Sequence, residues 1–184
     1  CSRDWSSDVC SSDLEWGNSL LALITKTHGH TNRTNQWTTA TMEQVGKELL
    51  ALLGMTATRP TRRGHNLPDL ETDDMVVEIK SGTYCTTGTA HEKIMGTPVK
   101  YIDVPLQYAA STTKQPKKLL VICFGQAEHV CRTTYGILPP YNSSALQSRR
   151  KALLNKIFML LDVEFIGATD MLKLILWRAS ASAK

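Results

Sequence analysis

Residues 68–80 read PDLETDDMVVEIK, and the alternation within them decides what kind of sheet this chain builds. Successive side chains on a strand point to opposite faces, so along Met75 to Ser81 the pair Val77 and Ile79 points one way and Glu78 and Lys80 the other. The first pair is expected in the core. The second is expected on one exposed face, a carboxylate beside an ammonium. Asp73-Asp74 reads as a turn that folds a short strand near Pro68 to Thr72 back onto the longer one. That hairpin brings Asp69 alongside Glu78, nine residues later.

Before the hairpin, from Thr41, the residues Met42, Val45, Leu49, Leu50, Leu52 and Leu53 recur at helical spacing, and Gly54 stands where a helix stops. A Pro/Arg/Gly loop, Arg59 to Asn66, joins this helix to the hairpin. After it, residues 82–113 make a long connection, with a small-residue run at Thr83 to Ala90, a helix around His91 to Met95 and a second helical stretch to Tyr108. LLVICFG, Leu119 to Gly125, is a bounded apolar run and reads as a buried central strand. Ser143 or Ser144 then caps a helix whose stripe is Leu146, Leu153, Leu154, Ile157, Phe158 and Leu161. Val163 to Ile166 reads as a fourth strand and Asp170 to Trp177 as a last helix. The order helix, three strands, helix, strand, helix predicts an α/β sheet with helices on its faces.

Composition bounds the rest. Asp4 to Leu14, DWSSDVCSSDL, resembles the translated end of a common sequencing adapter, so residues 1–14 are set aside as an artefact without a role in the fold. The remaining 170 residues suit one domain: an irregular lead-in at 15–40, the domain at 41–177 and a tail at 178–184. Residues 1–14 carry one Arg against three Asp, so the formal +4 of the chain becomes +6 for the rest, which favours a polyanionic partner. Cys85, Cys123 and Cys131 are an odd set without Cys-x-x-Cys spacing, which speaks against a disulfide framework or a zinc site and for reduced, intracellular thiols. No apolar run approaches the roughly 18 residues of a membrane span, so a soluble protein without a membrane partner is expected.

Two carboxylates beside a lysine carry a specific chemistry. Asp69 and Glu78 side by side repel each other unless a divalent cation stands between them. Magnesium keeps several waters and takes one or two carboxylates together with phosphate oxygens, so Asp69, Glu78 and the carbonyl of Ile79 make a fitting set, and Mn²⁺ is expected to substitute. Lys80 is placed to orient a water and to offset charge on a pentacovalent transition state. The chemistry expected is phosphodiester hydrolysis.

In motif and element order the sequence resembles the PD-(D/E)xK nuclease superfamily, whose αβββαβ core matches the elements from Thr41 to Gly167. The resemblance implies a restriction-endonuclease-like fold, a central mixed four-stranded sheet flanked by helices. It also implies that a glutamate of the first helix joins the metal site; Glu43 stands at the matching place, with Glu48 as the competitor. Glu71, Asp73 and Asp74 crowd the hairpin, and Asp69 is preferred because it follows Pro68. EIKSGTYCTTGTAHEKIMGTPVKY, residues 78–101, is similar to the corresponding run of type II restriction endonuclease-like proteins, including ones carried by large DNA viruses. On that run Thr86, Thr87 and Thr89 are small donors that allow close approach of a phosphate, the following helix offers its N-terminus to an anion, and Lys93 and Lys100 add charge. Trp37, Tyr84 and His91 read first as packing or surface residues and only second as groups that stack on bases or assist catalysis.

The functions to separate are a site-specific endonuclease acting on double-stranded DNA, a junction- or structure-selective nuclease, and a silent DNA-binding module of the same fold. A duplex cut addresses two strands, which suggests a homodimer. The +6 charge generates a first prediction: affinity for duplex DNA falls steeply with salt as condensed counterions are released. A titration between about 50 and 200 mM salt measures it, and a flat affinity would exclude a phosphate-backbone partner.

Overall fold

A computed structural model describes residues 39–60, 66–81, 89–104, 117–138 and 145–182, without the side chains of residues 39, 40, 89–91 and 145–148. Its elements are α1 (Thr39–Leu52), β1 (Leu70–Glu71), β2 (Met75–Lys80), α2 (Thr89–Lys100), β3 (Lys118–Cys123), α3 (Gly125–Thr133), α4 (Ala145–Leu160), β4 (Val163–Gly167) and α5 (Ala168–Ser182). The strands form one sheet in the order β1-β2-β3-β4. β1 is antiparallel to β2, and β2, β3 and β4 run parallel, so the sheet is mixed and four-stranded in an α/β fold.

Local chemistry explains the boundaries. α1 ends where Gly54, at φ +83°, takes a left-handed turn, and the amides of Gly54 and Met55 reach back to the carbonyls of Ala51 and Leu50 at 2.9 Å each. This is the paired closure that a glycine after a helix permits. The hairpin turn is held by Thr72, whose amide donates to the Met75 carbonyl at 2.9 Å and whose hydroxyl donates to Asp74 and accepts from the Met75 amide, each at 3.0 Å. Parallel pairing needs a crossover between strands. α2 lies in the crossover from β2 to β3, and α3 and α4 lie in the one from β3 to β4.

The sheet is covered on both sides. On one, Val77, Ile79, Leu120 and Ile122 pack against α1 and α5 through Met42, Leu50 and Met171. On the other, Val76, Leu119, Val121 and Cys123 pack against α2, α3 and α4 through Ile94, Tyr101, Val130 and Phe158. Gly46 lets α1 come down on β2, because a Cβ there would lie 2.6 Å from the Ile79 methyl.

Five readings of the sequence are corrected. Glu78 and Lys80 share the face of Val76, which α2, α3 and α4 cover, so that face is not open and Glu78 is 3% exposed. The helix expected around His91 to Met95 is longer, since α2 starts at Thr89 and runs through Pro98 to Lys100 before a turn at 101–103; residues 105–108 of the second helical stretch expected to Tyr108 lie outside the described residues. α3 had no counterpart: its nine residues carry two charges and a histidine, too short and too polar to show a period. Finally, the stripe of α4 is turned by about one position, since Phe158 is buried while Leu153 and Ile157 are exposed at 61% and 41%. α5 also continues past Trp177 to Ser182. Among the described residues no helix is long and apolar enough to cross a membrane.

The close seat of α1 on β2 generates a second prediction. Gly46→Val forces methyl groups into the Ile79 side chain, and overpacking of this kind costs about 1–3 kcal/mol. Urea unfolding measures it. An unchanged unfolding free energy would show that α1 is not seated on Ile79.

Candidate active site

β2 supplies the centre and β1 delivers its partner. β1 starts at Leu70, paired with Val77, and Asp69 just ahead of it bonds to the two residues that flank Glu78. The Asp69 amide donates to the Val77 carbonyl at 3.0 Å, and the Ile79 amide donates to Asp69 Oδ2 at 2.7 Å. A residue's N–H and C=O lie on the same edge of a strand, so the Ile79 carbonyl faces the edge where Asp69 sits.

Glu78 is the buried member of the cluster. Its Oε1 is ion-paired with Lys80 and lies 4.0 Å from the ammonium of Lys100, while its Oε2, also buried, has no hydrogen-bond partner among the described residues. Lys80 has 15% of its side chain exposed and Lys100 has 51%. Burial, and then the charge of Glu78, push the Asp69 carboxyl from 3.8 up to about 7, against the opposing pull of the Ile79 amide and Lys80. Glu43 on α1 is raised by burial and by Glu78, with Arg59 pulling the other way. Three carboxylates therefore sense one another. Of the two α1 glutamates, Glu43 belongs to this group, whereas Glu48 is exposed and accepts a hydrogen bond from Gln44 at 3.0 Å.

The crowding of acids along the hairpin resolves by partner. Glu71 is ion-paired with Lys117 at 2.6 Å, Asp73 is exposed, and Asp74 holds the turn. Only Asp69 is directed to Glu78. Thr86 and Thr87 lie outside the described residues, as do Trp37 and Tyr84, and the side chains of Thr89 and His91 are likewise outside them. Lys93 is exposed on α2, and Lys100 is drawn to Glu78.

Tyr101 escaped the sequence reading. It is 1% exposed, its hydroxyl accepts from Lys100 Nζ at 2.7 Å and donates to the Leu67 carbonyl at 3.2 Å, and the Lys100 ammonium sits 4.5 Å from its ring centre. Burial, then the charge of Glu78 and its hydrogen-bonding pull on the hydroxyl, and last the charge of Asp69 hold the phenol well above its usual range. Nothing in the residue order distinguishes this tyrosine from one that only packs. At the same end of the sheet a second ionic group forms: Arg132 pairs with Glu128 and with Asp170, at 2.7 Å for the latter, beside Gly167. Cys123 and Cys131 are free buried thiols with sulfurs 3.7 Å apart.

The expected ligand set is not drawn together around one point. Among the described residues no three His, Cys, Asp or Glu side chains stand close enough to cage an ion. The reason is that internal donors hold the carboxylates: Ile79 N–H takes Asp69 and Lys80 takes Glu78. The donor types nonetheless fit a hard divalent cation, with two carboxylates, a carbonyl on their edge and one buried carboxylate oxygen left without a donor. No protein-family model, curated protein or solved structure matches the chain.

The raised Asp69 carboxyl generates a third prediction. Between 3.8 and about 7 the folded chain keeps a proton that the unfolded chain has released. Stability from this group is therefore full at low pH and is lost as pH rises through about 7. Without divalent ions, the unfolding free energy of the wild type should decline from about pH 5 to about pH 7 relative to that of Asp69→Asn. Parallel curves for the two proteins would rule out a perturbed Asp69.

Proposed function

We propose that this chain is a metal-dependent nuclease that hydrolyses phosphodiester bonds in double-stranded DNA, of the restriction-endonuclease-like kind that the Pro68-Asp69 and Glu78-x-Lys80 pattern resembles. The observation that carries the reading is the placement of Asp69 beside Glu78, bonded to the residues on either side of it, with Lys80 on the same carboxylate and Glu78 Oε2 buried without a donor. A structural ion pair would be expected to use both oxygens, because an unsatisfied buried acceptor costs about 1–3 kcal/mol.

Asp69, Glu78 and the carbonyl of Ile79 would hold Mg²⁺ or Mn²⁺, with Glu43 at the margin. When bound, the ion supplies Lewis-acid activation of water and offsets charge on the phosphate. The chain's own contribution is positional. Lys80 sits on Glu78, so its ammonium is held beside the carboxylates and is available to orient the attacking water. Lys100, half-exposed near the same carboxylate, offers a second cation to a phosphate oxygen. Burial strengthens these charge interactions by excluding water. The element order also supports the family reading, although α2 and α3 are additions to a bare αβββαβ list. The net charge of +4 favours DNA, and action on two strands favours a twofold dimer.

A second reading, a DNA-binding module without cutting activity, is favoured by the closure of Glu78 on Lys80 beneath α2. Digestion of long DNA with Mg²⁺ or with EDTA separates the two. In the nuclease, Lys80→Ala and Asp69→Asn each lower cleavage by about 10²–10³ while retaining much of the DNA affinity. Raised Mg²⁺ or Mn²⁺ should recover part of the rate in Asp69→Asn and none in Lys80→Ala. Lys80→Ala also strands a buried carboxylate, a loss of about 3–5 kcal/mol, so Lys80→Ala with Glu78→Gln should regain stability without regaining cleavage. Wild-type cleavage by Lys80→Ala would refute the mechanism.

A further inference from the structure

Asp69 lies just ahead of β1, outside the strand, and two hydrogen bonds hold it there: its own amide to Val77 and its carboxylate from Ile79. The chain that leads into it is fastened elsewhere. Asn66 Nδ2 donates to the Lys100 carbonyl at 2.8 Å, and Tyr101 donates to the Leu67 carbonyl at 3.2 Å. Both anchors come from consecutive residues at the end of α2, more than thirty positions along the chain. Tyr101 is itself immobilised, being 1% exposed and packed with Val76, Ile94 and Val104. Its ring belongs to the core beneath the sheet, and its hydroxyl emerges at the carboxylate site, where it also receives the Lys100 ammonium at 2.7 Å.

Two carboxylates held close together repel each other, and a short segment free to move would relax Asp69 away from Glu78. Something must resist that movement for both to remain available to one cation. We infer that Tyr101 is a positioning residue for the divalent-ion site: its hydroxyl, with Asn66 as a second tie, fastens the 66–69 segment to α2 and so holds Asp69 opposite Glu78. The inference rests on the metal-dependent nuclease reading and deepens it, since it makes the end of α2 part of the metal site without contact to the ion. The same tie joins the metal site to the helix that follows residues 82–88, the run read as approaching phosphate.

The test uses the full chain and Mn²⁺ alone, titrated calorimetrically into wild type, Tyr101→Phe and Asn66→Ala without DNA. Tyr101→Phe keeps the ring in the core and removes only the hydroxyl. Each variant is expected to weaken Mn²⁺ binding about fivefold, the worth of one neutral hydrogen bond. In cleavage assays the half-saturating Mg²⁺ concentration rises by a similar factor, and the rate at saturating Mg²⁺ falls by less. A merely structural role would lower the melting temperature of the metal-free protein and leave the Mn²⁺ affinity unmoved, and that result overturns the inference. Should Tyr101→Phe fold poorly, Asn66→Ala, which changes a residue outside the core, decides by the same measure. Equal Mn²⁺ affinity in all three proteins overturns the inference and leaves the nuclease reading standing; a wild type that takes up no Mn²⁺ overturns both.

Discussion

A carboxylate taken out of water must be matched, and Glu78 is matched by the lysine two residues along its own strand. Much of the surrounding architecture depends on that pairing. β2 lies between β1 and β3 and is covered on both faces, so either charge alone would be strongly disfavoured there. Strand geometry places residues 78 and 80 on one face, and α2 then closes over them with Ile94 and Tyr101. The second oxygen of Glu78 remains without a donor among the described residues.

Proline and aspartate at 68 and 69 complete the arrangement by interrupting a ladder. β1 starts only at Leu70, and the Asp69 side chain takes the Ile79 amide in place of a backbone carbonyl. A carboxylate and a carbonyl consequently share one edge of β2, next to the buried carboxylate of Glu78. The close seat of α1 at Gly46 brings Glu43 within electrostatic reach of the same group.

The other ionic group, Glu128, Arg132, Thr169 and Asp170, shows the contrasting case. Arg132 lies between two carboxylates, Thr169 donates its amide to Glu128 at 3.3 Å, and Gly167 leaves the room that the Glu128 and Arg132 side chains occupy. It ties α3 to the start of α5. The acids at 128 and 170 have a built-in guanidinium between them, whereas Asp69 and Glu78 have a lysine on one side only.

Part of this structure needs only neighbours along the chain. The period of α1 and its stop at Gly54, the hairpin turn at Asp73-Asp74, the apolar β3 and the presence of Glu78 and Lys80 on one side of β2 all follow from local dihedral preference and side-chain alternation. Three things were decided only by packing. The face of Glu78 reads as exposed, since alternation fixes which residues share a side and cannot tell whether a helix from 89–100 will cover it. α3 and the rotation of α4 by about one position depend on which polar and apolar neighbours each helix meets across the sheet. The pairing of Glu71 with Lys117, the electrostatic reach of Glu43 to Glu78 and the arrival of Tyr101 at the carboxylates arise from contacts between segments far apart in the chain. Such contacts are set by three-dimensional distance, and neither residue order nor spacing carries it.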